Sequence, residues 1–67
     1  MKALEIDAMI GLAQIYYEQA YYAQTITTCK QIFSLISEIE DDPMHTQLHK
    51  DVSELLQKVC KKINARC

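Results

Sequence analysis

The stretch IYYEQAYYAQT, Ile15–Thr25, holds all four tyrosines of the 67-residue chain and neither glycine nor proline. Two folds compete for it. Ala8, Leu12, Ile15, Gln19, Tyr22, Ile26, Cys29, Phe33 and Ile36 alternate four and three residues apart, a heptad seam running unbroken through the tyrosines. One helix from Ala3 to Ile39 would be a rod about 55 Å long. Three features oppose it. The positions flanking the seam lack the opposite charges that a two-stranded coiled coil uses. Met1, Ile6, Met9, Ile10, Ile32, Leu35 and Ile39 lie off the seam, so the apolar surface is too wide for it. A lone rod would also leave that surface in water, whereas folding back shields it. The pattern therefore predicts a reversal at Glu18–Gln19–Ala20.

Outward from that corner, both sides read as amphipathic helix. Before it, Ile6, Met9, Ile10, Ala13, Tyr16, Tyr17 and Ala20 recur at three- and four-residue spacing, around a single Gly11. After it come Ile26, Cys29, Ile32, Phe33, Ile36 and Ile39. The polar side of this second segment (Gln24, Thr25, Thr27, Thr28, Gln31, Ser34, Ser37) is neutral, and Lys30 is the one charge between Gln19 and Ser37. Exposed helix faces normally carry charge, so a contact there is expected. The third segment repeats the pattern with Leu48, Val52, Leu55, Leu56, Val59, Cys60 and Ile63. Asp42 before Pro43 suits an N-cap followed by proline at the first helical position. The acids at Glu38, Glu40, Asp41 and Asp42 favour the positive end of that helix's dipole, and Lys58, Lys61, Lys62 and Arg66 the negative end. The expected helices span about 3–18, 21–39 and 43–65 of one domain, residues 1–67.

Composition agrees. Half the residues are apolar (49%), with one Gly and one Pro, which favours helix nearly throughout. A chain this short buries roughly 60% of its unfolded surface, so its core is thin and a permanent partner or a second copy is expected. A net charge of −2 argues against nucleic acid as a partner, and the apolar runs are too short to span a bilayer. Cys29, Cys60 and Cys67 are an odd number without a CxxC pair. With no leader-like segment ahead of the first helix, they read as small apolar fillers in a reducing, cytoplasmic setting, with Cys67 exposed and oxidisable.

From Leu12 the chain reads LAQIYYEQAYYAQTITTCKQI, which resembles a tetratricopeptide repeat. Leu12 and Ala13 match the family's large–small pair, Tyr16 its following tyrosine, and Tyr22 the aromatic of the second helix. The match covers roughly Ile6 to Ile39, one 34-residue unit. Thr25, Cys29, Ile32, Ala20 and Ser37 stand where the family carries a small residue, an aromatic, a second small residue, the turn glycine and the closing proline. The resemblance implies an all-α, three-helix antiparallel hairpin plus capping helix, with Tyr16 and Tyr22 packed between paired helices. Lone repeats cannot cover their apolar faces, so residues 43–65 would be the cap or the start of a further repeat. In this family the groove is lined by the first helix, which here implies Asp7, Ile10, Gln14, Tyr17 and Glu18. That set lacks a basic clamp for peptide carboxylates and fits a helix or extended peptide with apolar anchors.

Tyr21, pointing off the packed face, joins this set as a candidate contact, since exposed tyrosines favour interfaces. His45 and His49, in HTQLH, share a helix face but lack the further ligands that a zinc site needs and the Glu of HExxH. His49 and Cys60 lie three turns apart, and no phosphate loop or Ser/His/Asp set occurs. No catalytic residue, metal or cofactor is expected, and an enzyme is not the reading. The expectation is a module binding a helix or peptide of another protein, chaperone- or adaptor-like or part of a peptide-sensing regulator. The alternative is a structural homo-oligomer built on a long first helix.

Overall fold

The computed structural model describes residues 2–65; Met1, Arg66 and Cys67, named above, lie outside the described residues. The described chain is all-α: α1 (Lys2–Glu18), α2 (Tyr22–Ile36), a short 3-10 helix at Ser37–Ile39, and α3 (His45–Lys62). Its longest dimension is 34 Å, far short of the rod.

The chain reverses at Gln19–Ala20. The Tyr21 N–H donates to the Tyr16 carbonyl at 2.8 Å and the Ala20 N–H to that of Tyr17 at 3.0 Å. This nested pair is the Schellman closure, which requires a left-handed residue at its centre. Ala20 takes that role at φ 64°. The same closure ends α3, where Ala65 N–H reaches the Cys60 carbonyl at 2.9 Å and Asn64 sits at φ 55°. Asparagine adopts that geometry at less cost than alanine. The α3 helix therefore stops at Lys62, three residues before the expected end.

Two other boundaries also move inward. The second helix tightens into 3-10 geometry after Ile36 rather than continuing as α-helix to Ile39, and the Ser37 hydroxyl donates to the Ser34 carbonyl at 2.6 Å. At the start of α3 the N-cap residue is Met44, not Asp42. Asp42 instead closes a turn, its carbonyl accepting the His45 N–H at 3.0 Å. Its carboxylate accepts the Met44 N–H at 2.8 Å. The aspartate thus bonds the N-cap residue's own N–H rather than capping the helix.

The middle helix α2 packs on both α1 and α3, which also touch each other. One cluster joins Ala3, Ile6, Ile10 and Ala13 of α1, Cys29, Ile32 and Ile36 of α2, and Leu48, Val52 and Leu55 of α3. Part of the neutral polar side of α2 turns out to belong to this core. Thr25 is fully buried and Thr28 nearly so. Burying a hydroxyl is costly unless it is bonded, and the Thr25 hydroxyl donates to the Tyr21 carbonyl at 2.9 Å. At the far end Lys2 and Glu38 pair at 3.2 Å, both half-exposed, a contact of small energetic weight.

Cys29 is a free thiol with no exposed surface, and burial pushes its pKa above the ordinary 9.0. It is expected to resist iodoacetamide in the folded protein and to react at once in denaturant. Modification in native buffer at the rate of an unfolded control would contradict this placement. Because the folded pKa is the higher one, stability is full below pH 9.0 and is lost as pH rises from there toward the folded value. Cys60 is also buried, but disulfide-bonded rather than a reduced filler.

Candidate functional site

The α1 helix is apolar on nearly all sides, and the fold covers only one of them. Toward the core it turns Ala3, Ile6, Ile10 and Ala13, with Met9 and Tyr17 packed at the margin. Beside this face α1 and α3 border a groove of about 470 Å³. Its α1 wall is Gln14, Tyr17 and Glu18, and its α3 wall Asp51, Glu54, Leu55 and Lys58. Three carboxylates against one ammonium make the groove acidic, with Tyr17 and Leu55 as its apolar floor. Gln47 donates to Asp51 at 2.8 Å and holds that carboxylate along α3.

Of the six residues expected to meet a partner, Gln14, Tyr17 and Glu18 come together in this groove. Ile10 does not take part. It is 5% exposed and belongs to the core, because it lies on the same turn face as Ile6 and Ala13. Asp7 is exposed but does not line the cavity. Tyr21 is 52% exposed and sets its ring at a tilt to that of Tyr16, centroids 6.3 Å apart, outside the groove lining. The α3 wall was not named from the sequence. Asp51 and Glu54 share the third helix with Lys58, but only the packing of α3 against α1 shows that these three face Gln14 and Glu18.

The tyrosines also exchange roles relative to expectation. Tyr17, not Tyr16, packs against the core, and it pairs with Tyr22 across the corner at 5.9 Å. Tyr16 is half-buried and looks into a shallow groove between α1 and α2, lined by Ala23, Gln24, Thr27, Thr28 and Gln31. A one-residue change in helix position rotates a side chain by about 100°, which is enough to swap the neighbouring tyrosines.

The side of α1 opposite the core is uncovered. Leu4 is 61% exposed, Ile15 51% and Leu12 44%, with Ala8 exposed between them. Gly11 shares this side, and a Cβ placed there would meet no atom within 4 Å. The oily exposed surface thus lies on α1's back, while the groove beside α3 is chiefly polar.

His45 and His49 stand 6.2 Å apart by ring centroid, and the His49 ring meets the edge of Phe33 at 5.3 Å. Ser53 lies 3.5 Å from His49 Nδ1. Among the described residues no set of three His, Cys, Asp or Glu side chains is placed to hold a metal ion. Among them, too, no helix is long and apolar enough to cross a membrane. No protein-family model matches the chain, and no curated protein or solved structure does either.

Proposed function

We propose that this chain is a protein–protein interaction module of tetratricopeptide-like build. It takes up a helix or extended peptide of a partner, as a chaperone, an adaptor or the sensing part of a peptide-responsive regulator does. The observation that carries the reading is the groove between α1 and α3, which brings Gln14, Tyr17 and Glu18 opposite Asp51, Glu54 and Lys58. Its composition supports a particular kind of ligand. Tyr17 and Leu55 accept an apolar anchor, and the surplus of carboxylates favours Lys or Arg beside that anchor. Charge of this kind contributes more to selectivity and association rate than to raw affinity.

Fluorescence anisotropy with two labelled peptides tests this. Both are amphipathic with the same apolar residues, one flanked by Lys and Arg and the other by Asp and Glu. The cationic peptide should bind and the acidic one should not. Glu54→Lys should weaken the complex by about tenfold, or ~1.4 kcal/mol, and added salt should weaken it further. Equal binding of both peptides, indifferent to Glu54→Lys and to salt, would remove the groove from consideration. An assembly role is favoured separately by the uncovered back of α1.

A further inference from the structure

We infer that the back of α1 is a self-association surface on which a second copy of this chain docks antiparallel. The inference concerns the back of α1, one flank of which (Gln14, Glu18) borders the α3 groove, and it does not rest on the peptide-binding reading.

Leu4, Ala8, Gly11 and Ile15 succeed one another along a single face at steps of four, three and four residues, with Leu12 beside them. This face is exposed apart from the half-buried Gly11, and it bears no charge. Its order is large, small, small, large, and it is symmetric about the midpoint between Met9 and Ile10. Leu4 mirrors Ile15, and Ala8 mirrors Gly11. A two-fold axis through that midpoint sets Leu4 of each copy against Ile15 of the other. The small pair then meets at the crossing, where the open space over Gly11 admits a second backbone.

The flanking charges select the direction. One flank of the face carries Glu5, Leu12 and Tyr16; the other carries Asp7, Gln14 and Glu18. In an antiparallel pair like flank meets like flank. Glu5 then lies within reach of the partner copy's Tyr16 hydroxyl, and Asp7 within reach of its Gln14 amide, so these two acids each meet a donor. In a parallel pair opposite flanks meet, and Glu5 of each copy falls beside Asp7 of the other, a like-charge contact that destabilises helix pairs.

Area sets the strength. A helix of 17 residues is about 25 Å long and 10 Å across, a footprint well short of the ~800 Å² per partner of a stable interface. The symmetry extends it. Tyr16 lies on the flank that meets its own copy, and beside it runs the uncharged edge of α2 with Ala23, Gln24, Thr27 and Gln31. This accounts for the exposed, uncharged edge of α2 beside Tyr16. The dimer is consequently weak and concentration-dependent.

Sedimentation velocity of the whole chain from 1 μM to 1 mM reads the result directly. The mass should rise from 7.7 kDa toward twice that value. Ile15→Glu should shift the midpoint upward by at least tenfold. Ile15 is half-exposed, so circular dichroism at low concentration should show the variant folded like the parent; if it is not, Leu4→Glu, at a still more exposed position, takes its place. In a sample mixing isotope-labelled and unlabelled copies, intermolecular NOEs should join Leu4 to Ile15. A monomer throughout the range overturns the inference, including the case in which some other protein or a further repeat covers this face. So does a dimer that tolerates both substitutions, or one whose NOEs join Leu4 to Leu4.

Discussion

Ile32→Ala should remove a large share of the chain's stability. Ile32 has no exposed surface and sits on the middle helix, packed in the cluster that joins all three. Truncating such a side chain costs about 2–5 kcal/mol, since the lost burial adds to the cavity left behind. A domain of this length has about 3–10 kcal/mol in all, so one such substitution takes roughly half of it. Leu12→Ala is the control. Leu12 is 44% exposed on the back of α1, and its truncation should change monomer stability by less than about 0.5 kcal/mol. Urea titration followed at 222 nm, at a concentration low enough to keep the chain monomeric, compares the two. Equal losses at both positions would mean that the three-helix core has been misplaced.

Ala20→Pro should be the most damaging change at the surface. The residue is exposed, so no packing is lost. Its φ of 64° lies far from the −65° that a proline ring imposes, and its N–H is bonded to the Tyr17 carbonyl. Proline removes both conditions of the Schellman closure at a cost of about 3 kcal/mol or more. Ala20→Gly should act in the opposite sense. An L-residue with a Cβ in this region is strained by roughly 1–2 kcal/mol, and glycine is not. The greater freedom of glycine in the unfolded chain offsets part of this, leaving a stabilisation of about 1 kcal/mol. Thermal melts of the three proteins suffice. A glycine variant less stable than the parent would contradict the left-handed assignment at Ala20, and with it the geometry of the reversal.

The periodicity of the apolar residues was enough to identify an all-α chain, the existence of three helices and a reversal at Glu18–Gln19–Ala20, of which Glu18 proves to be the last residue of α1. These are local properties. Spacing at three and four residues defines a helix face whatever lies opposite, and the off-seam residues Ile6, Ile10 and Ile32 demanded more cover than one seam provides. Helix ends were less legible. Ser37, Asp42 and Asn64 stop or start their helices through particular hydrogen bonds that propensity does not encode.

The site was legible only in part, because a helix face states what is apolar and not what covers it. Gln14, Tyr17 and Glu18 were named as neighbours on one helix, and they remain neighbours in the groove. Ile10 looked equally available, but packing with Ile6 and Ala13 removed it from solvent. Thr25 and Thr28 belonged to a neutral polar face on which a contact was expected, and the crossing of α2 over its neighbours buried these two within the chain itself. Which of the two apolar sides of α1 would be covered was open in a chain whose first helix is apolar nearly all round. Tertiary structure decided it, since α2 and α3 fill the space beside Ile6, Ile10 and Ala13 and leave Leu4, Leu12 and Ile15 facing outward. Sequence alone determined the helices and the corner between them through local periodicity. The groove and the bare back of α1 depend on contacts between residues tens of positions apart, which only the packed chain brings together.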